Sequence, residues 1–229
     1  MTEKEIADFV IQVVVAIGTL GVVVVAIWGD WFRDRFAAPR LTVELAAPIG
    51  SFVPINPLPG IAVAQSRIAF YVHARVVNKR RWVTAKNCRV LLREIRERSA
   101  DGQFRSIPLS VPLRYVWSPS EATGPVVDIP VDHYFDFGHI VHPPLPGPEH
   151  LFTPVLYSYS NNFRGFVSRG QCLRFVLRVQ ADNYTRDDPV VIEVEWNGIW
   201  SDDLDTMRQN LRVTMIVEAP LDEPERPII

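Results

Sequence analysis

The chain has 229 residues, of which 48% are hydrophobic and 22% charged, and its formal net charge is −2. This length fits one domain of ordinary size with an appendage, or two small domains, and the apolar content excludes a wholly disordered chain. Two cysteines exclude a disulfide-dense scaffold, and the net charge excludes a generally basic nucleic-acid binder.

An uncharged run extends from Phe9 to Gly29 near the N-terminus. A helix of this length spans about 31 Å at 1.5 Å per residue, which matches the hydrocarbon core of a bilayer. Because every backbone amide must pair within the segment in lipid, the run predicts a single transmembrane helix that contacts the bilayer through residues 9–29. Aromatic and basic residues follow at the expected membrane interface: Trp28, Trp31, Arg33 and Arg35.

A cleaved signal peptide is the competing interpretation of this run. Lys4 is outnumbered by acidic neighbours, and no A-x-A cleavage site follows the run, so an uncleaved anchor is favoured. The excess of basic residues after the run places the C-terminal part in the cytoplasm, at the inner (plasma) membrane. Cys88 and Cys172 are expected to be unpaired there, whereas in an exported domain they would form an inter-sheet disulfide.

After Pro39 the hydrophobic pattern changes to a period of two residues, which predicts strands packed on one side. Turn-rich, Pro-rich pieces at 54–60 and 143–154 separate these runs as surface loops. A short helix is predicted over Asp202 to Gln209, with Ser201 as its N-cap. The strongest strand candidates are 68–77, 88–93, 173–180, 191–196 and 212–217, and the weaker ones are 41–47, 111–117, 126–131 and 134–141.

These elements predict a mainly β fold, in which an N-terminal transmembrane helix precedes an Ig-like antiparallel β-sandwich. Eight or nine strands without long helices between them are typical of a sandwich or a barrel, and the sandwich is favoured. The expected organisation is an anchor helix with its juxtamembrane segment at 1–40, a sandwich domain at 41–218 and a flexible tail at 219–229.

Two motifs carry a resemblance to known proteins. Val76-Val77-Asn78 ends one strand and Ala85 to Val90 reads A-x-N-x-x-V, a combination that resembles bacterial Ig-like domains of the cell-adhesion-related type. The whole layout is also similar to uncharacterised bacterial proteins with one N-terminal membrane helix and a β-sandwich, in which motifs like FDFG at 135–138 and EWNGIWSDD at 195–203 recur. The resemblance implies a fold and an anchorage, and no catalytic residues.

Charge is polarised along the chain. Residues 67–98 contain ten basic and two acidic side chains, and residues 182–226 contain twelve acidic and four basic ones. The two regions are either solvated faces of neighbouring strands that attract each other, or the basic one is a binding site. Duplex nucleic acid is not an expected partner, because the acidic half would repel it.

The basic turn, which we define as Lys79, Arg80, Arg81 and Trp82, is the candidate binding site. Three cations beside an indole can engage anionic headgroups at the inner leaflet. The same group can hold a small anionic ligand, such as a phosphate or a nucleotide, by Arg contacts and stacking.

Histidines and aspartates cluster in the segment 132–150, and His133, His139 and His142 are candidate metal ligands. The H-E-x-x-H arrangement is missing from the sequence, as are the G-x-S-x-G, P-loop and G-x-G-x-x-G motifs. No cofactor is predicted, and a non-enzymatic function is favoured over an enzymatic one.

The favoured function is a membrane-tethered, non-enzymatic binding module at the inner leaflet, whose partner is a protein or a small anionic ligand. One alternative is a membrane effector whose sandwich senses a ligand and whose helix oligomerises in the bilayer. The other is a metal-dependent enzyme that uses the loop 132–150. The oligomeric state is left open.

Overall fold

A computed structural model describes residues 3–32, 38–55, 67–120, 123–143, 149–184 and 189–216. Arg33, Arg35 and the predicted tail at 219–229 lie outside the described residues, as do residues 56–60 and 144–148 of the two Pro-rich loops. The chain divides into two units, Met1–Ala38 and Pro39–Ile229.

The first unit contains the helix α1, Glu3–Phe32, so the run 9–29 is helical. Large apolar side chains are exposed along it, and Trp28 exposes half of its surface. The hydroxyl of Thr19 donates to the carbonyl oxygen of Val15 at 2.9 Å, which satisfies this polar group within the helix. Among the described residues, no helix meets the length and hydropathy of a bilayer span. The transmembrane part of the fold prediction is not supported by this finding and stays a prediction.

The second unit is built mainly from strands. One short helix, α2 (Leu204–Asn210), precedes the last strand in this part of the described chain. The strands are β1 (Leu41–Leu45), β2 (Ser51–Ile55), β3 (Arg67–Asn78), β4 (Ala85–Arg98), β5 (Phe104–Ile107), β6 (Leu113–Arg114), β7 (Val116–Trp117), β8 (Val127–Ile129), β9 (Asp132–His142), β10 (Thr153–Pro154), β11 (Cys172–Gln180), β12 (Val190–Trp196) and β13 (Leu211–Ile216).

These strands form two antiparallel sheets. The first sheet has the order β1-β3-β9-β10, and β2 also pairs with β3 and β7 with β9. The second sheet has the order β13-β12-β11-β4-β5, and β6 and β8 also pair with β4. The mainly β, two-sheet architecture predicted from the alternating pattern is therefore confirmed.

The two sheets face each other across one hydrophobic core. Alternation along β3 turns Phe70, Val72 and Ala74 inward, where none of them is exposed. The rings of Phe137 on β9 and Phe175 on β11 meet edge to face across the core, with centroids 5.5 Å apart. The period-two pattern thus buries one face of each sheet against the other.

Gly138 on β9 permits one close approach within this core. The ring of Phe152 occupies the space where a Cβ at residue 138 would lie, and both residues are buried. Because packed interiors have few voids, no larger residue fits here without moving that ring.

The predicted cap of the short helix is wrong. Asp203 is the N-cap of α2, because its Oδ2 accepts a hydrogen bond from the backbone N–H of Thr206 at 2.9 Å. Ser201 lies two residues earlier, and its Oγ accepts instead from the backbone N–H of Asp203 at 3.1 Å. Ser201 and Asp203 both lie close enough to the start of α2 to act as its N-cap, and Asp203 is the residue in that position.

Cys88 and Cys172 are free and buried. They lie at opposite ends of the ladder between β4 and β11, in which Arg89 pairs with Gln180 and Glu97 with Leu173. Strands rise about 3.3 Å per residue, so this ladder separates the two sulfurs by roughly 30 Å. The inter-sheet disulfide considered for an exported domain is contradicted, because both cysteines lie in the same sheet and far apart.

Candidate functional site

The basic turn follows β3 and is held by the side chain of Asn78, which is only 1% exposed. Its Nδ2 donates to the carbonyl oxygen of Val83 at 2.6 Å. Its Oδ1 accepts from the backbone N–H of Arg80 at 3.0 Å and of Arg40 at 3.3 Å. One buried carboxamide thus joins the end of β3, the turn and the residue that precedes β1.

Lys79 at the start of the turn is part of a charge network on the outer face of the first sheet. It forms an ion pair with Glu44, which also binds Arg75 at 3.0 Å. Arg75 reaches Asp132 at 3.2 Å as well. The hydrogen bond from Lys79 is the largest influence that lowers the pKa of Glu44 below its ordinary value. Lys79 therefore has a structural partner within the fold.

The tip of the turn is formed by Arg81 and Trp82. Trp82 exposes 75% of its surface, the largest exposed fraction among the large apolar side chains that the structure describes. Arg81 is exposed beside it, whereas Arg80 is half-buried. An indole that projects from a turn whose backbone is fixed can be inserted into another surface without rearrangement of the fold.

Part of the charge polarisation along the sequence is accounted for by ion pairs between strands of the second sheet. The basic strand β4 and the acidic strand β12 both flank β11 in the second sheet. Glu193 accepts from Arg174 at 2.9 Å and from Arg98 at 3.3 Å. Arg98 also lies 3.6 Å from Glu195. For these side chains the interpretation as mutually attracting faces of neighbouring strands is supported.

The three predicted metal ligands are not brought together. His133, His139 and His142 lie on β9 and pair with three separate positions of β3. At about 3.3 Å per residue the first and last are roughly 30 Å apart along the strand. Within the described ranges, no group of three His, Cys, Asp or Glu side chains is placed to hold a metal ion.

His142 instead belongs to a stack of three rings. It lies over the indole of Trp200 with centroids 4.9 Å apart, and it is stacked on His150 at 5.1 Å. The Nδ1 of His142 and the Nε2 of His150 are 2.9 Å apart and share a hydrogen bond. Burial lowers the pKa of His150, and the nearby charge of His142 lowers it further. Both effects favour the neutral form of the His150 imidazole.

A second polar cluster, on the outer face of β3 and β9, was not predicted from sequence. His73 Nδ1 lies 2.9 Å from Oδ1 of Asp136, which is 8% exposed. The ring of Tyr71 is stacked between His73 and His139, with centroids 5.9 Å and 5.0 Å away. Burial lowers the pKa of His139, against the opposing effect of the Asp136 charge. Alternation along β3 placed His73 outward, but nothing local indicated a carboxylate 63 residues away.

The fold and site together define a mainly β protein with two facing antiparallel sheets and an exposed basic turn at one end. Comparison with protein-family models and with curated proteins gives no match to this chain.

Proposed function

We propose that this protein is a membrane-tethered, non-enzymatic binding module, with α1 embedded in the inner membrane and the β unit on the cytoplasmic side. The uncharged run 9–29 supports the anchor. Along α1, Phe9, Ile17 and Val22 each expose at least 60% of their surface. Apolar surface of this kind is more stable in contact with lipid than with water.

We further propose that the second unit is an Ig-like sandwich. The order β1-β3-β9 in one sheet corresponds to strands A-B-E, and β4-β11-β12 in the other corresponds to C-F-G. The chain crosses between sheets from β3 to β4, as it does from B to C. In this scheme β13 is an additional strand beside G. This correspondence supports the Ig-like assignment.

The observation that carries the proposal is the position of the basic turn beside the residue at which the chain enters the sandwich. The backbone N–H of Lys79 donates to the carbonyl oxygen of Arg40 at 2.8 Å. Arg40 is the last residue before β1, on the side of the chain that leads to α1, so docking of the basic turn on the leaflet is compatible with anchorage through α1. There Arg81 contributes about 1 kcal/mol with anionic lipid, and the exposed indole of Trp82 favours the interface.

The test is a fluorescent label at the tip of the turn. The full chain carrying W82C, labelled with bimane so that the apolar ring of the label takes the place of the indole, is reconstituted in nanodiscs of phosphatidylcholine with or without phosphatidylglycerol. The matched control is I199C, because Ile199 is 56% exposed and follows the C-terminal end of β12, which is the end away from the basic turn. We expect a blue shift with phosphatidylglycerol for W82C alone, and its reversal in high salt. Equal emission in both discs, or equal shifts at both positions, would contradict docking through the turn.

A further inference from the structure

A pocket of about 460 Å³ opens beside the basic turn. It lies between β1, an edge strand of the first sheet, and the hairpin of β11 and β12 in the second. Its volume is within the range of pockets that hold small ligands. Cations and apolar groups share its lining: Arg40, Lys79, Thr42, Val179, Tyr184 and Val190.

The two cations are held side by side by the backbone. The hydrogen bond from Lys79 N–H to the Arg40 carbonyl fixes their spacing, and Asn78 Oδ1 accepts from the N–H of Arg40 at 3.3 Å. Lys79 can turn from Glu44 to a ligand, because Glu44 keeps its contact with Arg75. The pocket thus offers an anion the positive charge of Arg40 and, once Lys79 has turned away from Glu44, that of Lys79.

The remaining wall of the pocket is apolar. Val179, at the end of β11, is 7% exposed, and Val190 begins β12. The ring of Tyr184, in the connection between these strands, completes this side. A bare inorganic anion would leave this wall in contact with water, so the lining fits an anion that carries an apolar group.

We propose that this pocket binds an amphipathic phosphate, with the phosphate on Arg40 and Lys79 and an apolar or aromatic group against Val179 and Val190. A phosphomonoester carries about −1.5 to −2 charges at pH 7, which matches the two cations. Arginine supplies a planar fork for phosphate oxygens, and lysine acts as a point charge. The inference deepens the proposed binding module and rests on it, and the shared chemistry has two sources: an anionic lipid or a soluble aromatic phosphate.

Calorimetry with phenyl phosphate tests this site. The full chain in phosphatidylcholine nanodiscs is titrated with phenyl phosphate and, separately, with inorganic phosphate. We expect saturable one-to-one binding of phenyl phosphate, about tenfold tighter than that of inorganic phosphate. Arg40→Ala and Val190→Trp should each weaken it roughly tenfold, because they remove a charged contact and fill the apolar part. The matched controls Arg105→Ala and Val53→Trp, at exposed residues outside the pocket, should leave it unchanged.

Absence of saturable binding would overturn the proposal, as would equal affinity for inorganic phosphate or equal behaviour of pocket and control variants. Loss of binding in discs that contain phosphatidic acid would support the site and identify a lipid as its occupant. Unchanged binding in those discs would support the site for a soluble phosphate. Arg81→Ala in the bimane-labelled W82C chain should reduce the blue shift that reports leaflet docking and keep phenyl phosphate binding, so failure of the pocket and failure of membrane docking are distinguishable.

Discussion

The side-chain amide of Asn78 donates to the carbonyl oxygen of Val83 at 2.6 Å and closes the basic turn from its buried side. The same side chain accepts from the N–H of Arg40, which precedes β1. A polar residue that is 1% exposed therefore fixes both the turn and the start of the first strand. The rigidity of the exposed tip depends on this residue.

Asn78→Ala should lower the free energy of unfolding by about 2–3 kcal/mol, because it leaves several buried backbone groups without a partner. Urea unfolding of the full chain in mild detergent, followed by tryptophan fluorescence, measures the change. Asn162→Ala is the matched control, since Asn162 is exposed in a loop. A loss below about 0.5 kcal/mol, which is usual for surface sites, would contradict the role given to Asn78.

The long strands could be predicted because apolar and polar side chains alternate along most of their sequence. β3 and β11 each bury every second residue over most of their length. Some strands, such as β6, β7 and β10, have only two residues and are too short to show an alternating pattern, so they could not be predicted in this way. The register shifts opposite Val72/His73 and Val176/Leu177 skip one residue of the partner strand, Phe137 on β9 and Arg93 on β4, and break the alternation of those partners.

The candidate site was predictable only where it is local. The basic turn is contiguous in sequence, so its cations and indole could be identified directly. The pocket beside it combines Arg40, Lys79 and Val190, which come together only when β1 packs near the β11–β12 hairpin. The three predicted metal ligands do not form a cluster, because these histidines are close in sequence but are spread along one extended strand.

Gly138→Ala should destabilise the fold by about 1–3 kcal/mol, because the new methyl group would overlap the ring of Phe152 in the core. The matched control is Gly124→Ala, where the added Cβ would lie 3.9 Å from the nearest atom, the carbonyl oxygen of Val126. The urea midpoints of the two variants give the comparison. Equal midpoints would show that the core at Gly138 has room that the structure does not indicate.

Both native cysteines should resist alkylation in the folded protein. Burial raises the pKa of Cys88 to about 12 and that of Cys172 to about 11. At pH 8 only on the order of one Cys172 thiol in a thousand is then a thiolate, the reactive form. Mass spectrometry after iodoacetamide should show no modification in buffer and two in urea, with W82C as the accessible control. Rapid labelling of either native thiol without denaturant would contradict their burial.

Acidification should destabilise the protein before its carboxylates titrate. Burial lowers the pKa of His133, His139 and His150, so each binds protons more readily in the unfolded chain. The contribution of these histidines to stability is therefore fully present above about pH 6.5, the ordinary histidine pKa, and is lost as the pH drops below it. The pKa of Glu94 is lowered, mainly by its hydrogen bond from Arg96, and its contribution is lost only at lower pH.

The urea midpoint should thus decrease as the pH is lowered from about 7.5 to 5.5, and His139→Gln should make this decrease smaller. The variant is first compared with the native chain at pH 7.5, which separates any effect on packing from the effect on titration. A midpoint that is constant over this interval would contradict the depressed histidine pKa values.

Alkaline carbonate extraction of membranes from cells that express the full chain measures whether α1 anchors the protein in the bilayer. A charged side chain at the centre of a bilayer helix costs about 2.5–3.5 kcal/mol, so Val14→Arg combined with Val22→Arg should release the protein. Met215→Arg, on the exposed face of β13, is the control that should not. We expect the native chain to stay in the membrane pellet, and its recovery in the supernatant would rule out anchorage by α1.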